Sequence, residues 1–161
     1  MNLKKIYNNN ELINHLINLR QKNLKIGFTN GCFDLLHKGH LSLLSQSKQK
    51  CDFLIVGLNS DASVKLLKGD ERPIDNESIR LNKLSNIKDV DAIIVFSEET
   101  PLNIINELLP NVLFKGSDYK IKKVIGSECV IENGGKLEFI DILDGFSTTN
   151  IIKKSSIWFK I

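Results

Sequence analysis

Short apolar runs alternate with helix-like stretches along most of the chain, and this alternation constrains the fold more than any other feature. Several of the runs are apolar at successive positions, as expected for strands that are buried on both faces of a parallel sheet. Strand–helix alternation of this kind predicts a single doubly wound, Rossmann-like α/β domain, in which a five-stranded parallel sheet carries helices on both faces. The predicted strands are residues 24–29, 53–58, 92–96, 112–115 and 137–142.

The segments between the predicted strands have helical signals at their ends. Ser60 before Asp61 is typical of a helix N-cap, and Thr100 followed by Pro101 predicts an N-cap and a first helical residue. The polar stretch at residues 68–77 is long enough to form a functional loop. The predicted helices are residues 10–22, 39–50, 61–67, 76–86, 101–108 and 148–156.

The length and composition are those of one ordinary globular domain. The 161 residues are 42% hydrophobic and 25% charged, and the formal net charge is only +3. Because the lysines are scattered, they favour a solvated surface over a nucleic-acid interface. We expect one domain over residues 1–161, with an N-terminal helix in residues 1–23, a core in residues 24–154 that carries any functional site, and a tail in residues 155–161.

The cysteines and the chain ends indicate the compartment and the partners. The chain has three cysteines, Cys32, Cys51 and Cys129. An odd number without a C-x-x-C pair argues against a disulfide framework or a zinc site. No signal-peptide core is present at the N-terminus, and no stretch approaches the roughly 18 apolar residues of a membrane span. We therefore expect a cytoplasmic protein without membrane or nucleic-acid partners. The apolar tail at residues 156–161 leaves two alternatives open, a homodimer contact or packing against its own domain.

The decapeptide Gly-Cys-Phe-Asp-Leu-Leu-His-Lys-Gly-His, residues 31–40, follows the first predicted strand. Ligands of doubly wound sheets bind outside the carboxyl ends of the strands, so this stretch falls at the expected ligand site. Neither a Walker-type phosphate loop nor a G-x-G-x-x-G fingerprint is present. His37 and His40 stand at the start of a helix, whose N-terminus attracts anions, and Gly39 lets a phosphate approach closely. The pair therefore predicts two ring N–H donors for one phosphoryl group.

Taken residue by residue, other interpretations stay open. A histidine at a helix start is compatible with capping or packing, and His37 and His40 lack a third metal ligand at an obvious spacing. Asp34 is compatible with a turn cap, and Cys32 with a small buried filler. The pattern as a whole carries more information than any of these positions.

The pattern G-x-F-D-x-x-H-x-G-H at residues 31–40 resembles the signature of the cytidylyltransferase-type nucleotidyltransferase superfamily. The stretch Asp-Gly-Phe-Ser-Thr-Thr-Asn-Ile-Ile at residues 144–152 is similar to the superfamily's second motif, a Ser-Thr-Thr turn that opens the last helix. The likeness covers about residues 24–154, nearly the whole chain.

Two further segments, residues 59–73 and 114–119, resemble more particularly the adenylyltransferases that make ADP-heptose from D-glycero-beta-D-manno-heptose 1-phosphate. In many bacteria that activity forms the C-terminal half of a bifunctional kinase–adenylyltransferase. Related glycerol-phosphate cytidylyltransferases carry an arginine shortly before the Ser-Thr-Thr turn, whereas this chain has Asp-Ile-Leu-Asp-Gly-Phe at residues 141–146. This departure favours the heptose branch.

The resemblance implies a direct attack of the sugar phosphate on the α-phosphorus of ATP, with Mg²⁺ carried mainly by the triphosphate and no protein metal ligand. The catalytic residues that it implies are His37, His40 and Lys68. The implied nucleotide-binding residues are Thr29, Asn30, Gly31, Cys32, Phe33, Gly39, Lys65, Ser147, Thr148 and Thr149. The implied substrate-binding residues are Asp34, Arg72, Arg80, Lys115, Asp118 and Tyr119. An ordinary salt bridge is an alternative for Arg80, and a solvated surface position is an alternative for Lys65 and Lys68.

Two other functions stay open on the sequence alone. The first is a cytidylyltransferase or an FAD-synthetase-like enzyme that uses another phosphate acceptor, and the second is a non-catalytic domain that senses ATP. The presence of both histidines, of Lys68 and of the Ser-Thr-Thr turn favours an active enzyme over a sensor.

Overall fold

The computed structural model describes residues 4–120 and 122–158. Its five strands are all parallel and form one sheet in the order β3-β2-β1-β4-β5. The predicted five-stranded parallel sheet is therefore confirmed, and each strand lies within two residues of its predicted bounds. The strands are β1 (Ile26–Gly31), β2 (Phe53–Asn59), β3 (Ala92–Phe96), β4 (Val112–Gly116) and β5 (Lys136–Ile140).

Helices cover both faces of the sheet, as predicted. One buried cluster joins three helices to one face, and a second cluster joins two helices to the other. The first three are α1 (Asn9–Gln21), α5 (Leu102–Leu108) and α6 (Ser127–Glu132); the other two are α2 (Lys38–Lys48) and α4 (Glu77–Ser85). The remaining helices are α3 (Asp61–Lys68), which follows β2, and α7 (Thr148–Trp158), which ends the described chain.

The structure corrects the sequence prediction at two helix starts. No helix was predicted between the fourth and fifth strands, but α6 lies there after a 3₁₀ turn at Ser117–Tyr119. Gly126 precedes α6 in a left-handed conformation and offers no side-chain cap, so the usual start signal is missing. Helix α5 begins at Leu102 with Pro101 as its N-cap residue, so Thr100 is not the cap. Ser60 does cap α3, because its hydroxyl accepts a hydrogen bond from the Ser63 N–H.

The strand order places one crevice at the centre of the sheet. The order reverses between β1 and β4, and a doubly wound sheet binds its ligands outside the carboxyl ends of the strands at that point. The predicted tail lies largely beyond the part of the chain that is described, so its contact with a second copy or with its own domain stays a prediction. No helix within the described ranges has the length and apolar character needed to span a bilayer.

Candidate active site

The turn between β1 and α2 brings the decapeptide around the start of a helix. Phe33 and Leu35 have left-handed φ values of 47° and 50°, which residues with side chains adopt rarely and only where the surroundings fix them. Phe33 is buried, and its ring centroid lies 5.2 Å from that of His40. The buried Phe33 ring thereby fixes this turn to the core and packs beside His40.

His37 and His40 cap α2 reciprocally. His37 is the N-cap residue, and its Nδ1 accepts a hydrogen bond from the Gly39 N–H at 3.1 Å. The Nδ1 of His40 accepts one from the His37 N–H at 3.3 Å, and the two rings stack with centroids 3.7 Å apart. Because each Nδ1 is an acceptor, the neutral ring carries its proton on Nε2. Each imidazole therefore keeps one N–H donor for a ligand.

Burial holds both imidazoles in the neutral form. Burial lowers the pKa of His37, and burial together with the neighbouring His37 lowers the pKa of His40 to about 4, against the opposing attraction of Asp34. Two stacked cations would repel each other, so a neutral pair is the arrangement that these contacts favour. The rings are thus suited to donate hydrogen bonds at neutral pH.

Asp34 joins the histidine turn to the loop between α3 and α4. Its buried carboxylate accepts a hydrogen bond from Arg72 Nε at 2.7 Å and from the Ile74 and Asp75 N–H groups at 2.9 Å. Burial favours a higher pKa for Asp34, but these backbone donors and Arg72 outweigh it and leave the pKa below its usual value. The Asp34 carbonyl also accepts a hydrogen bond from Thr148 Oγ1 at 2.5 Å, which ties the start of α7 to the same turn.

Arg80 occupies a different place from the one expected. Its guanidinium is buried and donates to the carbonyls of Cys32 and Asn59 at 2.8 and 2.7 Å, to the Asp75 carbonyl at 3.0 Å and to the Asp61 carboxylate at 2.7 Å. All of its nitrogens are therefore engaged within the protein. The structure does not support Arg80 as a contact for the sugar phosphate and instead favours the alternative of an internal salt bridge.

A cavity of about 500 Å³ opens between the histidine turn, the end of α3 and the start of α7. We call it the central cavity. It brings together most of the residues that the sequence singled out, and Asn59 and Glu99 join them. Those predicted residues are Asn30, Gly31, Cys32, Phe33, Asp34, His37, His40, Lys68, Arg72, Lys115, Asp118, Tyr119, Ser147, Thr148 and Thr149.

A smaller compartment of about 250 Å³, which we call the apolar compartment, adjoins the central cavity. Thr29 and Gly39 line it, together with Leu43 of α2 and three apolar residues of the segment after β5: Ile142, Leu143 and Phe146. The sequence did not indicate these apolar residues, because nothing in a loop sequence distinguishes a large side chain that lines a cavity from one that packs in the core. Lys65 is exposed on α3, outside the residues that line either space.

Lys115 lies where the two spaces meet. Its Nζ donates a hydrogen bond to Asn30 Oδ1 at 2.6 Å and lies 5.2 Å from the centroid of the Tyr119 ring. Burial lowers the pKa of Lys115 to about 8, although the nearby Asp118 acts in the opposite direction. A partly desolvated cation held by a neutral amide is a favourable contact for an incoming anion.

The site is built to bind anions, and it contains no activated nucleophile. The N-termini of α2 and α7, each opening an eleven-residue helix, reach the central cavity, and Lys68 and Lys115 add positive charge. Burial raises the pKa of the Cys32 thiol, so this side chain is not a ready thiolate. No group of three or more His, Cys, Asp or Glu side chains that would hold a metal ion occurs in residues 4–120 and 122–158.

Comparison with known proteins identifies close relatives of this chain. The family model described as cytidylyltransferase-like matches residues 28–154. The bifunctional protein HldE of Nitrobacter winogradskyi is 52% identical over 145 residues, which are 90% of this chain and 30% of that protein. HldE of Rhodospirillum rubrum is 55% identical over 135 residues, which are 84% of this chain and 27% of that protein. The chain thus spans less than a third of the curated relatives that it matches.

Two solved structures share the architecture. A lipopolysaccharide core biosynthesis protein from Thermoplasma volcanium is 26% identical, with a TM-score of 0.59 over 74% of this chain and 97% of the other. Pantoate-beta-alanine ligase from Francisella tularensis, solved with beta-gamma ATP and beta-alanine, has a TM-score of 0.63 over 98% of this chain and 78% of the other. At 16% identity, the second likeness concerns the fold alone.

We predict that replacing Asp34 with alanine destabilises the protein by about 3 kcal/mol, because the change leaves the Arg72 guanidinium and the half-buried N–H groups of Ile74 and Asp75 without their acceptor. Asp34→Asn, which keeps one acceptor oxygen, should cost less. Urea denaturation of the wild type and both variants measures the effect. Glu128→Ala removes the exposed ion pair with Lys123 and is the control, for which no measurable change is expected. Equal stability of wild type and Asp34→Ala would contradict this role of Asp34.

The lowered pKa of His40 makes stability depend on pH in a defined window. Between pH 6.5 and about 4 the unfolded chain binds a proton on this imidazole and the folded chain does not, so the free energy of unfolding falls as the pH falls. His40→Asn removes this titration and should flatten the curve relative to the wild type. Urea midpoints at several pH values across the window check the difference, and parallel curves for the two proteins would refute it.

Proposed function

This chain belongs to the cytidylyltransferase-like family, and from that premise we propose that it transfers AMP from ATP to a sugar phosphate. The proposed acceptor is D-glycero-beta-D-manno-heptose 1-phosphate, and the products are ADP-heptose and pyrophosphate. The observation that carries the proposal is the stacked pair of neutral histidines on the wall of a cavity that also receives the start of α7. The identity of about half to two HldE proteins supports the heptose acceptor over glycerol phosphate or a flavin nucleotide.

The proposed reaction needs no general base. The second pKa of a phosphate monoester is about 6, so the acceptor phosphate is already a dianion near neutral pH. One of its oxygens forms a bond to the α-phosphorus of ATP, and the bond from that phosphorus to the bridging oxygen of the β-phosphate breaks, which releases pyrophosphate. Catalysis then consists of alignment and of stabilising charge on the phosphoryl oxygens. ATP enters with its Mg²⁺, which the triphosphate oxygens carry.

The two histidines donate from Nε2 to oxygens of the α- and β-phosphates. Because their Nδ1 atoms are held by backbone N–H groups of the helix start, the rings are oriented before the substrate arrives. On the other wall, the hydroxyls of Ser147 and Thr149 and the backbone N–H groups at the start of α7 are donors for the β- and γ-phosphates. Thr148 contributes through its backbone N–H, because its hydroxyl donates to the Asp34 carbonyl. Lys68, at the end of α3, neutralises charge on the leaving pyrophosphate.

The apolar compartment receives the adenine ring. A purine is flat, with apolar faces, and the compartment offers Leu43, Ile142, Leu143 and Phe146 at its walls. Its position beside the histidines leaves the triphosphate in the central cavity. This arrangement directs the α-phosphate toward Lys115, at the junction of the two spaces.

Pyrophosphate release tests the proposal directly. The protein is assayed with ATP or CTP in combination with heptose 1-phosphate, glycerol 3-phosphate or flavin mononucleotide. We expect turnover with ATP and heptose 1-phosphate. Turnover only with one of the other acceptors would replace the proposed substrate, and binding of ATP without pyrophosphate release from any acceptor would indicate a sensor domain.

We predict that His40→Asn lowers kcat by about 10²–10³, or roughly 3–4 kcal/mol, as expected for the loss of one donor to a developing charge. Asparagine places an amide oxygen near the position of Nδ1 and preserves the helix cap, but it has no group at the position of Nε2. His40→Gln reaches that position with an amide N–H and should retain more activity. Steady-state pyrophosphate release compares the three proteins. Near-wild-type turnover of His40→Asn would remove this ring from the mechanism.

The pH profile of kcat/KM for the acceptor should have two limbs. This kcat/KM rises as the acceptor phosphate loses its second proton at about pH 6. It falls as Lys115 loses its charge at about pH 8. Lys115→Arg should move the alkaline limb upward, because a guanidinium stays protonated throughout the measurable range. The exposed Lys120→Arg is the control and should reproduce the wild-type profile. An alkaline limb that is the same in Lys115→Arg and wild type would contradict the assignment to Lys115.

A further inference from the structure

A third compartment, of about 340 Å³, opens from the central cavity. The residues that it does not share with the central cavity come from the segments after β3 and β4, whereas α2 and the segment after β5 contribute to the apolar compartment and not to this one. It is continuous with the central cavity, because both include Asn30, Leu67, Glu99, Pro101, Lys115 and Tyr119. Thr100, Lys123, Val124 and Ile125 complete its walls.

The third compartment contains a carboxylate that has no partner within the described residues. Glu99 lines the compartment together with Lys115 and Lys123, and its carboxylate has neither a hydrogen bond nor an ion pair there. Lys123 pairs instead with Glu128 at 2.7 Å, where both side chains are largely exposed. A carboxylate without a partner is purely an acceptor of hydrogen bonds, so it suits the part of a ligand that is rich in hydroxyl donors.

The remaining walls suit the C–H faces of a sugar ring. Pro101, Val124 and Ile125 form apolar surface, and the ring of Tyr119 is 40% exposed beside them. Ligand sites combine a mainly apolar lining with a few placed polar groups, and here Glu99 and the Asn30 amide are among the polar groups, with Thr100, Lys115 and Lys123. At about 340 Å³, the compartment is large enough for one monosaccharide ring.

Lys115 forms the neck between this compartment and the site of phosphoryl transfer. It lines all three spaces, and its ammonium group donates a hydrogen bond to the neutral Asn30 amide and lies beside the Tyr119 ring, with the Asp118 carboxylate nearby. A phosphate at the neck would form a charged hydrogen bond with this ammonium group. It would also lie where the contents of the central cavity meet those of the third compartment.

We infer that the third compartment is the sugar subsite of the acceptor, in which Glu99 accepts hydrogen bonds from ring hydroxyls while Lys115 binds the phosphate at the neck. The inference rests on the proposed transfer to a sugar phosphate. It assigns a recognition role to Glu99, Pro101, Val124 and Ile125, none of which belongs to the histidine or Ser-Thr-Thr motifs.

Glu99→Ala tests the subsite, with Glu98→Ala as a matched control. Glu98 is the adjacent carboxylate, but it accepts a hydrogen bond from the Ser97 N–H and lines a separate groove. The dissociation constant of heptose 1-phosphate is measured by calorimetry in the presence of α,β-methylene-ATP, and the KM of ATP by pyrophosphate release. We expect Glu99→Ala to weaken acceptor binding at least tenfold, with the KM of ATP unchanged. Glu98→Ala should match the wild type in both measurements.

A second pair of variants tests the space itself. Ile125→Trp fills the compartment and should also weaken acceptor binding at least tenfold, whereas Ile131→Trp places the same ring at an exposed position of α6 and should leave it unchanged. Acceptor binding that is unchanged or tighter in Glu99→Ala would overturn the sugar subsite, since a carboxylate that merely repels the acceptor phosphate would tighten binding when it is removed. An equal loss for ATP and acceptor would overturn it as well.

Failure of the proposed function has a different signature. Wild-type protein that releases no pyrophosphate with heptose 1-phosphate would overturn the transfer reaction and this inference with it. If the wild type turns over, but Glu99→Ala and Ile125→Trp change acceptor binding no more than they change the KM of ATP, only the sugar subsite is overturned.

Discussion

The buried carboxylate of Asp34 is the interaction on which the candidate site depends. It joins the histidine turn to the loop between α3 and α4 through Arg72, Ile74 and Asp75, and its own carbonyl holds Thr148 at the start of α7. Three segments that are distant in the sequence thus converge on one residue. A buried ion pair with several backbone donors costs desolvation, and here the same contacts define the walls of the cavity. The aspartate of the motif therefore positions the walls of the cavity, and its contact with the substrate stays a prediction.

The sheet could be predicted well because its signal is local. A strand that is buried on both faces must be apolar at successive positions, and neither β3 nor the first six residues of β2 carry a polar side chain. Helix α6 was not predicted, because its local signal is weak. It has only six residues, and Gly126 at its N-cap position has no side chain that could cap it. The position of the site followed from topology, since the decapeptide comes directly after the central strand.

The side chains of the site were less predictable than its place. Arg80 lies on a helix in the sequence pattern, and no local signal tells whether such a guanidinium faces inward to carbonyls or outward to a substrate. Glu99 and Ile125 stand in loops without a motif, and only the three-dimensional arrangement brings them beside Lys115. Local chemistry identifies residues that bind phosphate, because that task requires particular residue types. Recognition of a sugar uses ordinary residues in a particular arrangement, so it leaves little trace in one sequence.

In the reciprocal cap of α2, each imidazole has two tasks: its Nδ1 caps the helix, and its Nε2 is the proposed donor to phosphate. Serine, aspartate and asparagine are better N-cap residues than histidine, so the chain begins this helix with a residue that folding alone would not select. A substitution at position 37 that strengthens the helix start would remove the imidazole. Thermal stability therefore cannot be gained at this position without losing a donor of the site. Variants selected for heat resistance should therefore accumulate their changes elsewhere, and active variants should keep histidine at position 37.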